Sequence, residues 1–231
     1  MTNVAEQRTE PWFRRLLLPS YQVVEAARYS RTHPNTVARW HYGENPVLPG
    51  HERKRPLSYM ELVEVAFVAF FRRMGVGMPR IRAARAYLAT TFTSEYPFVE
   101  YRFLTEGFHV LMDYKEYEDP RSDFDKLIMA DSDGQLAWAE MLGDKFAEFD
   151  YEQELALKWH PRGRHSKVVI DPRISFGAPI VEGLPTWVIK GRWQAQEEIA
   201  EITDEFGVSR EAVIEGLRFE GIDVANGKDN F

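Results

Sequence analysis

The sequence predicts a mainly helical protein with a small α+β segment in its middle, and three observations carry that reading. Residues 58–92 are rich in helix formers, with apolar positions recurring at helical spacing. Residues 20–43 and 186–220 break into short amphipathic runs separated by turn residues. The alternation and turn signals of strands concentrate between about residues 93 and 165.

Composition narrows the class further. At 231 residues the chain can form one large domain or two to three small ones. Hydrophobic residues at 44% and charged residues at 28% describe an ordinary globular protein, not a disordered one. The lack of cysteine excludes disulfides, thiolate metal sites and cysteine nucleophiles, and fits a cytoplasmic location. No apolar run approaches the ~18 residues of a membrane span. The opening MTNVAEQRTEPWFRR is polar and mixed in charge, unlike a signal peptide. The net charge of -7 divides unevenly: residues 1–90 carry 14 Lys and Arg against 7 Asp and Glu, whereas residues 91–231 carry 15 against 29. Nucleic acid is a plausible partner for the basic front and an implausible one for the acidic back.

Each element has a local reason. The first ten or so residues lack periodicity and read as a loose start to an N-terminal arm over 1–19. The run SYQVVEAARY, 20–29, is a short helix with Val23, Val24 and Ala27 inward. After the polar turn SRTH, Pro34 opens PNTVARWHY, where its fixed φ and missing N–H suit a first turn. Gly43 is expected to supply a left-handed cap. Three prolines, a glycine and Arg53-Lys54-Arg55 make residues 43–58 a hairpin-like basic loop. Ser58 and Glu61 form a capping box that opens an apolar helix to about Met74. Glu61 and Glu64 at its start and Arg72 and Arg73 at its end suit the helix dipole. A basic helix follows over 79–92, with Ile81, Ala84 and Leu88 on one face and Arg80, Arg82 and Arg85 on others.

Beyond it, FVEYRFL and FHVLMDY flank Glu106-Gly107 as two strands and a turn. Residues 134–149 form a helix presenting Leu136, Leu142, Phe146 and Phe149. Leu155, Leu157 and Trp159 alternate as a strand, and HPRGRHSK is a basic linker closing the middle segment, 93–165. VVIDPRISFGAPIVEG is a strand-and-turn segment. Three helices, over 186–194, 197–206 and 209–220, complete a C-terminal domain of residues 166–222, with Ser209 as N-cap of the last. Residues 223–231 are a tail.

On a helix over 34–42, Val37 and Trp40 face inward, leaving Asn35, Thr36 and Arg39 near the N-terminus, where recognition helices touch base edges. Arginine and asparagine suit that task because each can form two hydrogen bonds to a base. Arg31 in the turn and Arg53, Lys54 and Arg55 in the loop are placed to contact phosphates. The bland alternative is a helical pair with a solvated basic face. One recognition helix reads few base pairs, so a homodimer is expected. Met60, Leu62, Val63, Val65, Phe67, Val68, Phe70 and Phe71 offer more apolar surface than one face needs, which implies an interface or a larger core.

In the rear, the EFGVS turn alone would suggest a second helix-turn-helix. Residues 193–223, however, carry nine acidic residues against Arg210 and Arg218, and such a surface repels phosphate. A basic protein partner fits better, met by the acidic stretch that Glu197, Glu198 and Glu201 begin. Trp187 and Trp193 are candidate anchors because interface hot spots favour tryptophan; a solvated acidic face and core tryptophans are the plainer alternatives. Enzyme readings find no support. The six histidines show no ligand spacing and read as surface or turn residues. Asp131-Ser132-Asp133-Gly134 lacks the glycine and glutamate that a calcium loop requires, and Asp123 and Asp125 sit in an acidic loop. No catalytic residue, metal or cofactor is expected.

Two stretches resemble known families. Tyr21 to Gly43, the basic loop and LSYMELVEVAF together resemble a winged helix of the MerR type, with Glu25-Ala26-Ala27, Pro34 and Arg39-Trp40 in the family's order. His33 stands where that family places a capping Ser or Thr. The rear resembles a small bacterial domain with the pattern I-D-P-x-x-x-x-G-x-P-x-x-x-G before a three-helix unit. The matching residues are Ile170, Asp171, Pro172, Gly177, Pro179 and Gly183, and the departure is Leu184-Pro185-Thr186. In this order the two ends, about half the chain, resemble VapB-like antitoxins paired with PIN-like ribonuclease toxins.

The resemblance implies a MerR-like winged helix-turn-helix over 20–92, then a C-terminal three-helix, helix-turn-helix-like domain. It also implies a DNA-binding antitoxin that autoregulates its operon, its N-terminal half on operator DNA and its C-terminal half on a PIN-like toxin. The alternative is a MerR-like transcription regulator with a ligand- or protein-binding rear, which would show an apolar pocket with a few polar groups in the 93–160 region.

Overall fold

A computed structural model describes residues 11–48, 55–101, 103 and 142–224. The chain is mainly α-helical with a small antiparallel β component, and it forms two compact units, Met1–Ala156 and Leu157–Phe231.

The front unit begins inside the expected arm. Helix α1 (Pro11–Leu16) buries Phe13 and Leu16, so that part of the arm belongs to a core. Helix α2 (Val23–Tyr29) buries Ala26, Ala27 and Tyr29 but leaves Val24 63% exposed, against the expectation that it faces inward. Its helix starts later than expected, at a Gln22–Glu25 capping box, and Ala27 with half-buried Val23 keeps the expected inward face. Helix α3 (Pro34–Tyr42) follows after a short turn. Leu57, returning from the basic loop, pairs with Tyr21 in an isolated antiparallel bridge, its N–H donating to the Tyr21 carbonyl at 2.7 Å.

Helix α4 (Tyr59–Arg73) is the core of this unit. The Ser58 N–H donates to Glu61 Oε2 at 2.6 Å, and Ser58 Oγ accepts from the Glu61 N–H at 3.3 Å, as the capping box requires. Met60, Leu62, Val63, Val65, Phe67, Val68 and Phe71 are all buried within the chain, and Phe70 is half-buried. The apolar surplus of this helix therefore fills a larger core. Phe67 shows why: its ring lies 5.8, 5.3, 5.5 and 5.2 Å from those of Phe98, Phe103, Phe146 and Phe149. Helix α5 (Met78–Phe92) turns Ile81, Leu88 and Phe92 inward, together with Arg85; Ala84 is only half-buried.

The expected strand over 98–104 is not one. Pro97–Val99 is a 3-10 turn, and Glu100 alone bridges to Leu155. The Phe98 N–H, which a strand would use in its ladder, donates instead to Glu64 Oε1 at 2.9 Å. The partner strand around His109 and the stretch 134–141 of the expected helix lie outside the described residues. Residues 142–147 are helical, but Phe149 opens strand β1 (Phe149–Glu152) instead of closing that helix, and it is buried as a strand residue.

The β structure begins in the expected middle segment and continues through the expected strand-and-turn segment. After Gln153 and Glu154, both at positive φ, strand β2 (Leu155–Trp159) leads into the rear unit. Strands β3 (Val168–Ile170), β4 (Pro179–Val181) and β5 (Leu184–Pro185) continue an antiparallel meander, with Trp159 opposite Ile170, Val169 opposite Ile180, and Ile180 opposite Pro185. Helices α6 (Thr186–Gln194), α7 (Ile199–Phe206) and α8 (Arg210–Phe219) follow. Ser209 caps α8, its Oγ accepting from the Ala212 N–H at 3.2 Å. Gly216 of α8 lets α6 and β4 approach α8 closely. A Cβ there would lie 2.7 Å from Ile189 Cδ1 and 3.5 Å from Val181 Cγ2.

Candidate nucleic-acid and partner interfaces

Helix α3 divides as an amphipathic recognition helix would. Val37, Trp40 and His41 are buried, Asn35 and Arg39 are exposed, and Thr36 is half-buried. Its start is capped by His33, whose Nδ1 accepts from the Asn35 N–H at 3.2 Å, doing what a hydroxyl does elsewhere. Its end departs from expectation. Gly43 has φ -71° and ψ 178°, so it is no left-handed cap. Glycine is needed there for a different reason: a Cβ would stand 2.5 Å from the Arg39 carbonyl oxygen. Arg31 is exposed in the turn, at a positive φ of 53°. Arg55 is half-buried, while Arg53 and Lys54 lie outside the described residues.

Sequence reasoning missed the residue that ties these pieces together. His41, expected at the surface, is fully buried. Its Nε2 lies 3.2 Å from the Arg55 carbonyl oxygen, and its Nδ1 lies 3.9 Å from Glu61 Oε1. One imidazole thus joins α3, the end of the basic loop and the start of α4. Position 41 completes an i, i+3, i+4 stripe with Val37 and Trp40, and that signal could have found it.

Three further charged side chains, Glu64, Arg85 and Lys145, are buried. Glu64 accepts from Arg85 Nε at 2.5 Å as well as from the Phe98 N–H. Burial pushes its carboxyl up, while the Arg85 guanidinium holds it down. Arg85 also donates to the Glu95 carbonyl, locking α4, α5 and the 3-10 turn together. Lys145 lies 5.7 Å above the Phe67 ring and 5.2 Å above that of Phe149, donating to Glu148 at 2.6 Å. Burial brings its ammonium down to about 8.

In the rear unit, Trp187 is 62% exposed and Trp193 is half-buried. The acidic candidates hold their own helices. Glu198 and Glu201 form the capping box of α7, the Glu198 N–H donating to Glu201 Oε2 at 2.8 Å, and both remain exposed. Half-buried Glu197 accepts from Arg192 at 2.9 Å, and Arg192 also pairs with Glu205. The I-D-P pattern has a structural meaning. Ile170 is buried at the end of β3. Asp171, also buried, accepts from the Arg173 N–H and Nε, both at 2.9 Å. Gly177 and Gly183 take positive φ where the chain turns into and out of β4. Among the described residues no group of His, Asp and Glu is arranged to hold a metal ion, and no helix is long and apolar enough to cross a membrane.

In sequence and in fold the chain is similar to known proteins of Mycobacterium tuberculosis. The chain is 23% identical over 226 residues to the "Putative antitoxin VapB45" of Mycobacterium tuberculosis (strain ATCC 25618 / H37Rv), covering 87% of this chain and 93% of that protein. It shares its fold with the crystal structure of Rv2018 from Mycobacterium tuberculosis, at a TM-score of 0.69 and 22% identity over 87% of this chain and 98% of that one. No family model matches.

Proposed function

We propose that this chain is a DNA-binding antitoxin whose MerR-like winged helix-turn-helix front recognises the operator of its own operon. Its helix-turn-helix-like rear neutralises a PIN-like ribonuclease toxin, and the protein acts in the cytoplasm as a homodimer. The observation that carries this reading is the division of α3, with Val37, Trp40 and His41 buried and Asn35 and Arg39 free to face a groove, at the head of a chain similar to an antitoxin along most of its length. Asn35, Thr36 and Arg39 read base edges, and Arg31, Arg53, Lys54 and Arg55 contact phosphates. Trp187 and Trp193, together with Glu197, Glu198 and Glu201, meet the basic toxin.

A mobility-shift titration on the DNA upstream of the chain's own reading frame tests the front. Arg39→Ala should cost roughly 1–3 kcal/mol and relax preference at one base position. Unchanged operator binding in that variant defeats the recognition-helix assignment. Co-expression with the product of the neighbouring reading frame tests the rear, where complex formation and loss of ribonuclease activity are expected.

One observation favours the ligand-responsive regulator as a second reading. A cavity of about 140 Å³ in the front unit is lined by Phe13, Leu17, Met60, Ser94, Glu95, Tyr96, Glu100 and Leu155, five of them from the 93–160 stretch. Ligand pockets span about 300–1,000 Å³, so this cavity suits only a very small molecule, and the antitoxin reading stands first.

A further inference from the structure

The turn between α2 and α3 brings together two cations that lie far apart in the sequence. Ser30 caps α2 and is buried, and Arg31 follows it in the left-handed region, at φ 53°. Backbone bonds hold that shape. The Ser30 N–H donates to the Ala26 carbonyl at 3.0 Å, and the Thr32 N–H to that of Ala27 at 2.9 Å. Arg73, the last residue of α4, reaches the same turn, its Nη1 donating to the Ser30 carbonyl at 2.9 Å. Both arginines are exposed, and among the described residues no carboxylate lies within ion-pair distance of either. Glu148, whose charge draws on Arg73, is already held by Lys145 at 2.6 Å. Partial burial pushes the Arg73 guanidinium down, and the charge of Arg31 pushes it the same way. Two like charges at a strained, exposed turn repel, and an anion beside both relieves that repulsion.

We propose that Arg31 and Arg73 together hold one phosphate of the DNA backbone, at the turn that precedes the recognition helix. This deepens the proposed function and rests on its DNA-binding front alone, adding Arg73, which that reading leaves unused. The chemistry selects phosphate. A guanidinium presents its N–H donors in a fork that paired phosphate oxygens match. Arg73 gives Nη1 to the backbone, and its Nη2 and Nε remain for a ligand. The bond to Ser30 also fixes where that guanidinium sits, so little of it is left to order on binding. The turn runs into the His33 cap of α3, the helix whose Asn35, Thr36 and Arg39 are placed for base edges. A phosphate gripped at the turn sets the register of that helix along the duplex, because backbone contacts position what base contacts specify. Free phosphate carries the same oxygens. The DNA strand is the better occupant because α3, next in the chain, must approach the duplex in any case.

Titration of the full-length protein with its upstream duplex and with a random-sequence duplex, across a salt series, tests the proposal. Arg31→Gln and Arg73→Gln should each weaken both duplexes about tenfold without changing base preference. The double variant should flatten the log–log salt slope by about one, and its loss should fall short of the product of the single losses, because one phosphate is shared. Arg73→Lys keeps the charge and should keep the slope. Inorganic phosphate at millimolar concentration and constant ionic strength should leave wild-type binding unchanged. A double variant with the wild-type slope and a lowered melting temperature makes Arg73 a brace for the turn and overturns the proposal. Inorganic phosphate that raises the melting temperature of the wild type but not of the double variant, with duplex binding equal in both, assigns the site to free phosphate and overturns it as well. Equal binding of the two duplexes, still weakened in the double variant, supports this site and defeats the operator assignment instead.

Discussion

His33 places an imidazole at the head of the helix on which the proposed base contacts sit. Its Nδ1 satisfies one of the amide groups that the first turn leaves without a helical partner. Removing it in His33→Ala should lower stability by about 1 kcal/mol in urea denaturation, and His33→Ser should restore most of that loss. If alanine and serine behave alike, the cap contributes nothing. Lys145 gives a prediction in pH. Its folded value of about 8 lies below the ordinary 10.5, so the unfolded chain binds more protons between those limits, and stability rises with pH across that window. The gain is at most ~3 kcal/mol. Lys145→Met should abolish the rise and be the more stable protein at neutral pH, because it fills the aromatic site without burying a charge. A urea midpoint that falls from pH 8 to pH 10 in the wild type alone would contradict this assignment.

Between elements, the buried Glu64–Arg85 pair fixes how α4, α5 and the Pro97–Val99 turn meet. Removing one partner strands the other's charge in the core. Arg85→Met is therefore expected to cost about 3–5 kcal/mol, while the double change with Glu64→Leu recovers much of it. Additive losses in that cycle would show the two side chains to be independent. The same network explains why the expected strand over 98–104 did not form. Glu64 offers the Phe98 N–H a buried carboxylate, and a charge-assisted bond of that kind outcompetes a ladder bond. In the rear, Gly216 does for α6 and α8 what small residues do wherever helices approach closely, admitting Ile189.

Taken over its full length, the chain is an electrostatic dipole in sequence, basic to residue 90 and acidic beyond. On the proposed function only the front engages phosphate. If Arg31, Arg53, Lys54 and Arg55 each neutralise one phosphate, operator affinity should fall with salt at a log–log slope of about -3 to -4. Replacing Arg53, Lys54 and Arg55 together by alanine should flatten that slope to about -1 and weaken all sequences alike. A slope unchanged by the triple replacement would remove the basic loop from the interface.

Local chemistry was legible wherever neighbours in sequence decide it. The Ser58–Glu61 box, Pro34 at a helix start, Ser209 as a cap and the extent of α6 all depend on groups within four residues of each other. So did the inward pair Val37 and Trp40 and the outward pair Asn35 and Arg39. Tertiary structure alone decided what the buried charges meet. His41, Glu64 and Arg85 meet partners 14 to 34 residues away, and no helical periodicity encodes those partners. It likewise decided that the apolar surplus of α4 is core, since Phe98, Phe103, Phe146 and Phe149 come from a distant stretch to cover Phe67. The exposure of Phe176 belongs to the same class. Its residue type predicts burial, and only the turn closed by Asp171 and Gly177 turns the ring outward.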